Sequence, residues 1–288
     1  MPVTIEPKNK FFAANKAIAE REIHPGIAVS FLHEVDLTEV EALRAELKRS
    51  GLAGPSYTAF VAKAVALALP DFPYANRRVC RRWWPWPGVR LQRFDRCDIA
   101  IAAEREVPGA EMCAMIDVMR DVDRLSLAEI NDWLHALATS DVANNEQWRA
   151  FHGVITRLPG LLSAWLITLP TLVPSLWVRY RGGAVLISSP AKYGVDAVIA
   201  TWSAPIGISF GLVKQRPVVR GTAIVACPTL MLTMNFDRRV MAGAQAARFF
   251  QRVVMILEHA RDEMAAFLQA APAGEPRPQP ESAATASG

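Results

Sequence analysis

Five histidines and four cysteines are the side chains of this 288-residue chain best suited to acid–base, nucleophilic or metal chemistry, and neither set is spaced for it. Cys80, Cys97, Cys113 and Cys227 lie far apart with no CxxC pair, and no histidines stand at zinc-finger spacing. A structural metal or redox dithiol is therefore not expected, and the thiols read as reduced and buried. His24, His33, His135, His152 and His259 are isolated, and a lone histidine is more often a surface or satisfied core residue than a base. No GxGxxG or GxxxxGK loop offers a phosphate cradle. Arg81-Arg82-Trp83-Trp84-Pro85-Trp86-Pro87-Gly88 carries residue types that stack on bases or cations, but it is short, bounded by proline and alone, and reads as a packed surface loop. A net charge of +4 and a pI near 9.0 fall short of a nucleic-acid-binding stripe, so no nucleic-acid partner is expected.

The elements that must position any site are those of a folded globular chain. Hydrophobic residues make up 51% and charged residues 21%, which excludes a wholly disordered chain, a coiled coil and a Cys-rich scaffold. The spacing predicts helices over 9–22, 38–50, 56–69, 126–137 and 244–268. Strands are expected over 27–37, 98–103, 184–189, 206–213, 218–226 and 229–236, with a turn at Arg220-Gly221 inside the fifth. Thr38 and Glu41 have capping-box spacing, with Glu41 able to reach back to the cap amide. Strands and helices mix without a doubly wound repeat, giving an α/β class with a mixed sheet in one domain. The domain is expected over 1–270, with 271–288 a disordered Pro/Ala/Ser tail. The N-terminal MPVTIEPKNK lacks a secretory h-region, so a cytoplasmic location is expected.

One segment stands out. Leu158–Val178 contains no charged residue and is bracketed by Arg157 and Arg179, long enough on composition alone to cross a membrane. Pro159, Pro170 and Pro174 argue against a straight spanning helix, since each removes a donor that lipid cannot replace. Two short apolar helices are the better reading. They would pack inside the protein or an oligomer, cover a hydrophobic tunnel, or lie on a membrane surface.

Asn235-Phe236-Asp237-Arg238-Arg239-Val240-Met241-Ala242-Gly243-Ala244 through Phe249 resembles the signature of the 2-oxoacid dehydrogenase acyltransferase catalytic domain, approximately SFDHRVxDGAxAARF. His33–Val40 resembles that family's xEVDVTEL, Phe60–Pro73 its FxxKAxxxALxxFP helix, and Gly207–Val219 the hairpin ending in GxxxxKPVV. The motifs run in family order over most of residues 10–265, with an apolar helical insert at about 148–181 that the standard core lacks. The resemblance implies a chloramphenicol acetyltransferase-like fold: a mixed sheet with flanking helices, normally trimeric, with active sites in channels between subunits where CoA and an acyl acceptor meet. No lipoyl or peripheral subunit-binding domain precedes residue 1, so a role as the full core of a dehydrogenase complex is not expected.

Two departures fall in one loop. The family's general-base histidine is Arg238 here, and the aspartate four residues on, which orients the site through an ion pair, is Ala242. Guanidinium stays protonated, so it cannot accept the thiol proton that the family's mechanism moves. The family's oxyanion-binding hydroxyl, in its TISN strand, is matched by Ser188 of Leu186-Ile187-Ser188-Ser189; a strand serine satisfied by backbone is the alternative. Arg238 would either hold a carboxylate or phosphate bidentately, or pair with Asp237 or a neighbouring carboxylate.

The expected function is that of a catalytically degenerate acyltransferase-fold protein, a trimer or multiple of it. It requires no cofactor or metal, and binds an acyl or CoA-like ligand through Arg238, Ser188 and Ser189 or serves as a scaffold. The alternatives are an active CoA-dependent acyltransferase using Ser188 without a histidine base, and a peripheral membrane or lipid-binding protein docking through residues 158–178.

Overall fold

The computed structural model describes residues 9–24, 27–49, 54–82, 88–106 and 113–268. Residues 83–87 of the tryptophan cluster, the tail from 271, and the helix-stop residues Pro25, Gly26 and Gly51 lie outside the described residues. The chain runs α1 (Lys10–Glu22), β1 (Ala28–Asp36), α2 (Thr38–Arg49), α3 (Tyr57–Ala68), β2 (Arg77–Arg82), β3 (Gly88–Arg93), β4 (Ile99–Arg105) and β5 (Cys113–Met119). It continues through α4 (Leu127–Thr139), α5 (Glu146–Arg157), α6 (Gly160–Thr168), α7 (Pro174–Arg181), β6 (Val185–Ser188), β7 (Ile206–Phe210), β8 (Lys214–Arg220), β9 (Ala223–Asp237), α8 (Gly243–Glu258) and α9 (Ala260–Met264).

A mixed sheet in the order β1-β9-β7-β6-β4-β5 forms the frame, with β8 on the free half of β9 and β2-β3 a separate hairpin. β4, β6 and β7 are parallel neighbours, and the remaining pairings are antiparallel. β9 organises the sheet because its fifteen residues bond β8 along one half and both β1 and β7 along the other. The expected α/β fold with a mixed sheet and flanking helices is the fold observed.

Local signals explain most boundaries. Ser56 caps α3 by accepting from Ala59 N at 3.3 Å, and ten of that helix's twelve residues are buried; its alanines let it sit close against α4 and α8. The capping box forms at Ser126 and Glu129, which exchange bonds of 3.1 and 2.8 Å, and not at Thr38 and Glu41. At α2 the Asp36 carboxylate takes the Thr38 amide at 2.9 Å, while Glu41 bonds Arg44 and Tyr57 instead. Two expected strands are one: β9 runs straight through Cys227-Pro228, where it passes from β8 to β1, and the Pro228 carbonyl accepts from Leu37 N at 2.8 Å. The turn falls at Gly221-Thr222, with Gly221 at φ 62°, a conformation glycine adopts without a Cβ clash. The last helix also breaks, at His259, so the expected 244–268 helix is α8 followed by α9 and a 3₁₀ turn at Ala265–Phe267.

The uncharged run folds as α6 and α7, bent by 96° across a 3₁₀ turn at Leu169–Thr171. Among the described residues no single helix is long and apolar enough to cross a membrane. α6 packs on α1 and α5 around a small second core of Phe11, Ala14, Cys113, Ile155 and Ile167. Cys97, Cys113 and Cys227 are buried and Cys80 is partly exposed, and none of the four forms a disulfide.

Candidate functional site

The loop that carries the family signature lies where β9 ends, beside the first residue of β1 and the strand start of β7. Antiparallel pairing brings it there: Ala28 faces Asp237, and Asp237 N donates to Pro205 O at 2.9 Å. Arg238 N donates to Ile27 O at 3.0 Å, which ties the loop to the segment ahead of β1. The Asp237 carboxylate accepts from the Arg239 amide at 2.8 Å and from its Nε and Nη2 at 3.0 and 2.7 Å, so Asp237 pairs with Arg239 and not with Arg238. The Arg238 side chain is exposed and makes no hydrogen bond or ion pair among the described residues. Val240 and Met241 anchor the loop in the core, and Arg77 Nε holds the Val240 carbonyl at 3.0 Å. Ala242 caps α8 with its amide given to Gln245 Oε1 at 3.1 Å.

Beside this loop a cleft of about 640 Å³ is lined by Asp237, Arg239, Asn235, His24, Arg78 and Trp202, among others. Arg78 is the unusual member. It is only 3% exposed; its Nε bonds Gln92 Oε1 at 2.8 Å, its Nη1 bonds Thr171 O at 3.2 Å, and its plane lies 4.2 Å over the Trp177 ring. Its Nη2 has no acceptor, and no carboxylate pairs with it among the described residues. Burial pushes its pKa down to about 10, still well above neutrality, so it remains a cation at neutral pH. A buried guanidinium with an open donor and no direct carboxylate partner is suited to an anionic ligand group. His24, which the sequence leaves as one isolated histidine of five, enters this cleft because β1 pairs with β9; its carbonyl accepts from Ile27 N at 3.3 Å, one step from the Arg238 amide.

Ser188 and Ser189 stand elsewhere. Ser188 ends β6 opposite Ser209 of β7, partly buried, and its hydroxyl makes no hydrogen bond among the described residues. Ser189 is the satisfied serine, donating to Phe210 O at 2.9 Å. The register separates Ser188 from Asp237 by two strand spacings and about four residues along the strands, or on the order of 15 Å at ~4.8 Å per strand and ~3.3 Å per residue. Arg238 and Ala242 therefore share one loop, and Ser188 and Ser189 do not meet them within one chain. Gly207 keeps the floor between the two ends: a Cβ there would stand 1.9 Å from Trp202 Cδ1, so only glycine lets the indole lie on β7.

The insert forms one wall of this cleft. Trp165, Thr168, Thr171, Leu172 and Trp177 line it, while Leu166, Ile167, Pro170 and Leu176 face a second, separate pocket. A buried ion pair, Glu22 to Arg181 at 3.0 Å, ties α1 to α7.

The family model for the acyltransferase (catalytic domain) of 2-oxoacid dehydrogenases matches residues 18–154 and 178–265, which leaves 155–177 between the two blocks. The lipoamide acyltransferase component of a branched-chain alpha-keto acid dehydrogenase complex from Pseudomonas aeruginosa is 30% identical over 233 residues, 80% of this chain and 46% of that protein. The dihydrolipoyllysine-residue acetyltransferase component of the Bacillus subtilis pyruvate dehydrogenase complex is 24% identical over 265 residues, 88% of this chain and 50% of that one. The chain thus spans about half the length of the curated relatives it matches. Among solved structures, a dihydrolipoamide acetyltransferase of Azotobacter vinelandii, studied for the role of a serine, a histidine and an asparagine in its catalytic mechanism, has a TM-score of 0.65 at 20% identity. It covers 91% of this chain and 94% of its own. The truncated catalytic core of the 2-oxoacid dehydrogenase multienzyme complex of Thermoplasma acidophilum has a TM-score of 0.58 at 17% identity, covering 90% of this chain and 99% of its own.

Proposed function

This chain belongs to the 2-oxoacid dehydrogenase acyltransferase (catalytic domain) family, and on that premise we propose that it is a catalytically degenerate member that binds an acyl or CoA-like ligand in a homo-oligomer, a trimer or multiple of it. The observation that carries the reading is Arg78, a buried guanidinium in the cleft with no direct carboxylate partner among the described residues; Arg238, on the adjoining loop, is exposed and likewise unpaired. A phosphate or carboxylate would complete Arg78, whereas thiol acyl transfer in the family needs a group that takes up a proton at the position Arg238 occupies. Neither the Arg238 guanidinium nor the Ala242 methyl can take up a proton.

The test is a calorimetric titration with CoA and acetyl-CoA, followed by an assay of acetyl transfer to dihydrolipoamide. Saturable CoA binding without turnover is expected, and Arg238→Ala should weaken binding severalfold. Absence of CoA binding by the folded protein would overturn the ligand, and robust turnover would overturn the degeneracy.

His24 in the same cleft favours a second reading, an active transferase in which that imidazole takes the proton. In that case wild type turns over, and both His24→Gln and Ser188→Ala lower the rate, the latter by about 2.7–4 kcal/mol of barrier if its hydroxyl binds the oxyanion.

A further inference from the structure

The second pocket is absent from the resemblance and from the proposed cleft, and its walls are made in part by the segment that the family match leaves out. It has a volume of about 260 Å³ between α1, α5, α6, α7 and β5. Ile116, Phe151, Val154, Leu166, Ile167 and Leu176 line it, so most of its surface is hydrocarbon. Four polar side chains reach it, Gln147, Arg181, Tyr180 and Trp148, and the first two are already used. Gln147 donates to the carbonyls of Ile116 at 2.9 Å and Tyr180 at 3.0 Å, and Arg181 is engaged by Glu22 through two bonds of 3.2 and 3.0 Å. Trp148 is 1% exposed, and its indole Nε1 is buried without an acceptor.

These features select a ligand. A carboxylate or phosphate would lose its water and meet no free cation, because the single cation in the wall is neutralised by Glu22. A pure hydrocarbon would leave the Trp148 N–H unpaired. We infer that the insert builds a binding pocket for a neutral aliphatic chain bearing one hydrogen-bond acceptor, an ester or thioester carbonyl or an alcohol oxygen, which the Trp148 indole meets. Pairing Glu22 with Arg181 is what makes the pocket neutral, and Glu22 also lines the larger cleft.

The experiment uses three eight-carbon probes with the full chain: 1-octanol, sodium octanoate and methyl octanoate, titrated calorimetrically at two temperatures. Octanol and methyl octanoate should bind with one site per chain and a negative heat-capacity change, and octanoate at least tenfold more weakly. Val154→Phe and Leu166→Phe each fill the space, and either should abolish binding of both neutral probes while CoA binding is retained. Trp148→Phe keeps the ring and should weaken both severalfold. Thermal melts identify any variant that fails to fold, and the other filling variant then decides the case. Octanoate binding as tightly as octanol would overturn the neutral character. Unchanged binding by a folded filling variant would overturn the location, and no binding of any probe by wild type would overturn the pocket itself. CoA binding tests a different cleft, so each reading stands or falls separately.

Discussion

A guanidinium sealed from water requires either an anion or acceptors for all of its donors. Arg78 has acceptors for Nε and Nη1 only, and the stacked Trp177 ring serves its face but not Nη2. Its replacement separates ligand binding from folding. Arg78→Met should weaken CoA binding at least tenfold in a calorimetric titration while shifting the melting temperature by only a few degrees, because losing two hydrogen bonds is offset by no longer burying an uncompensated charge. Wild-type affinity in that variant would remove Arg78 from the site. Nothing in the sequence marks this residue. Arg77, Arg78, Arg81 and Arg82 are alike in type along one strand, and what distinguishes Arg78 is the insert folding over it from ninety residues away. Arg238 is the opposite case, legible at once because a known motif surrounds a changed letter.

At the scale of elements, two buried charges hold the helices in place. Glu22 and Arg181 are each nearly sealed, and their pairing joins α1 to α7 across both pockets. Breaking a buried pair leaves one charge uncompensated, so Glu22→Ala should cost about 3–5 kcal/mol in urea unfolding, and a Glu22→Ala, Arg181→Ala double variant should recover part of that. Lys63 is fully buried in α3 and fastens the loop ahead of α4, donating to the carbonyls of Val122, Asp123 and Leu125 at 3.4, 2.7 and 2.7 Å, with its ammonium 3.5 Å from the Phe267 ring centre. Burial pushes its pKa from 10.5 down to about 7. Below that value both folded and unfolded chains hold the proton; between about 7 and 10.5 the unfolded chain alone holds it, so this residue makes stability rise with pH across that window. Urea unfolding at pH 7 and pH 9.5 should show the rise in wild type and not in Lys63→Met, which should also be less stable by about 1–3 kcal/mol because carbonyls lose their donor. Helix starts were legible where the cap is local, as at Ser56 and Ser126. Thr38 and Glu41 had the same spacing but lost their box to Asp36 and to Tyr57, partners that spacing cannot rank.

At the scale of the whole molecule, the register that sets Ser188 on the order of 15 Å from Asp237 means a site using both would need a second copy. Light scattering at micromolar concentration should give three times the chain mass of 31.7 kDa or a multiple of it, and a monomer would overturn the oligomeric part of the proposed function. The family, the mixed α/β class and the order of most elements were legible from the amino-acid order alone, since these rest on residue types at short spacing: helix periodicity, turn glycines and contiguous motifs. That order merged α8 with α9 and divided β9 at Pro228, because a break at His259 and a proline at the handover from β8 to β1 depend on what packs alongside. Three features came from the three-dimensional arrangement: Arg78 is buried with no direct carboxylate partner among the described residues, His24 enters the cleft next to the loop of Arg238, and one apolar insert walls both this cleft and a neutral pocket. Burial, counter-ion pairing and enclosed volume are properties of residues far apart along the chain, and they come into existence only when the sheet brings those residues together.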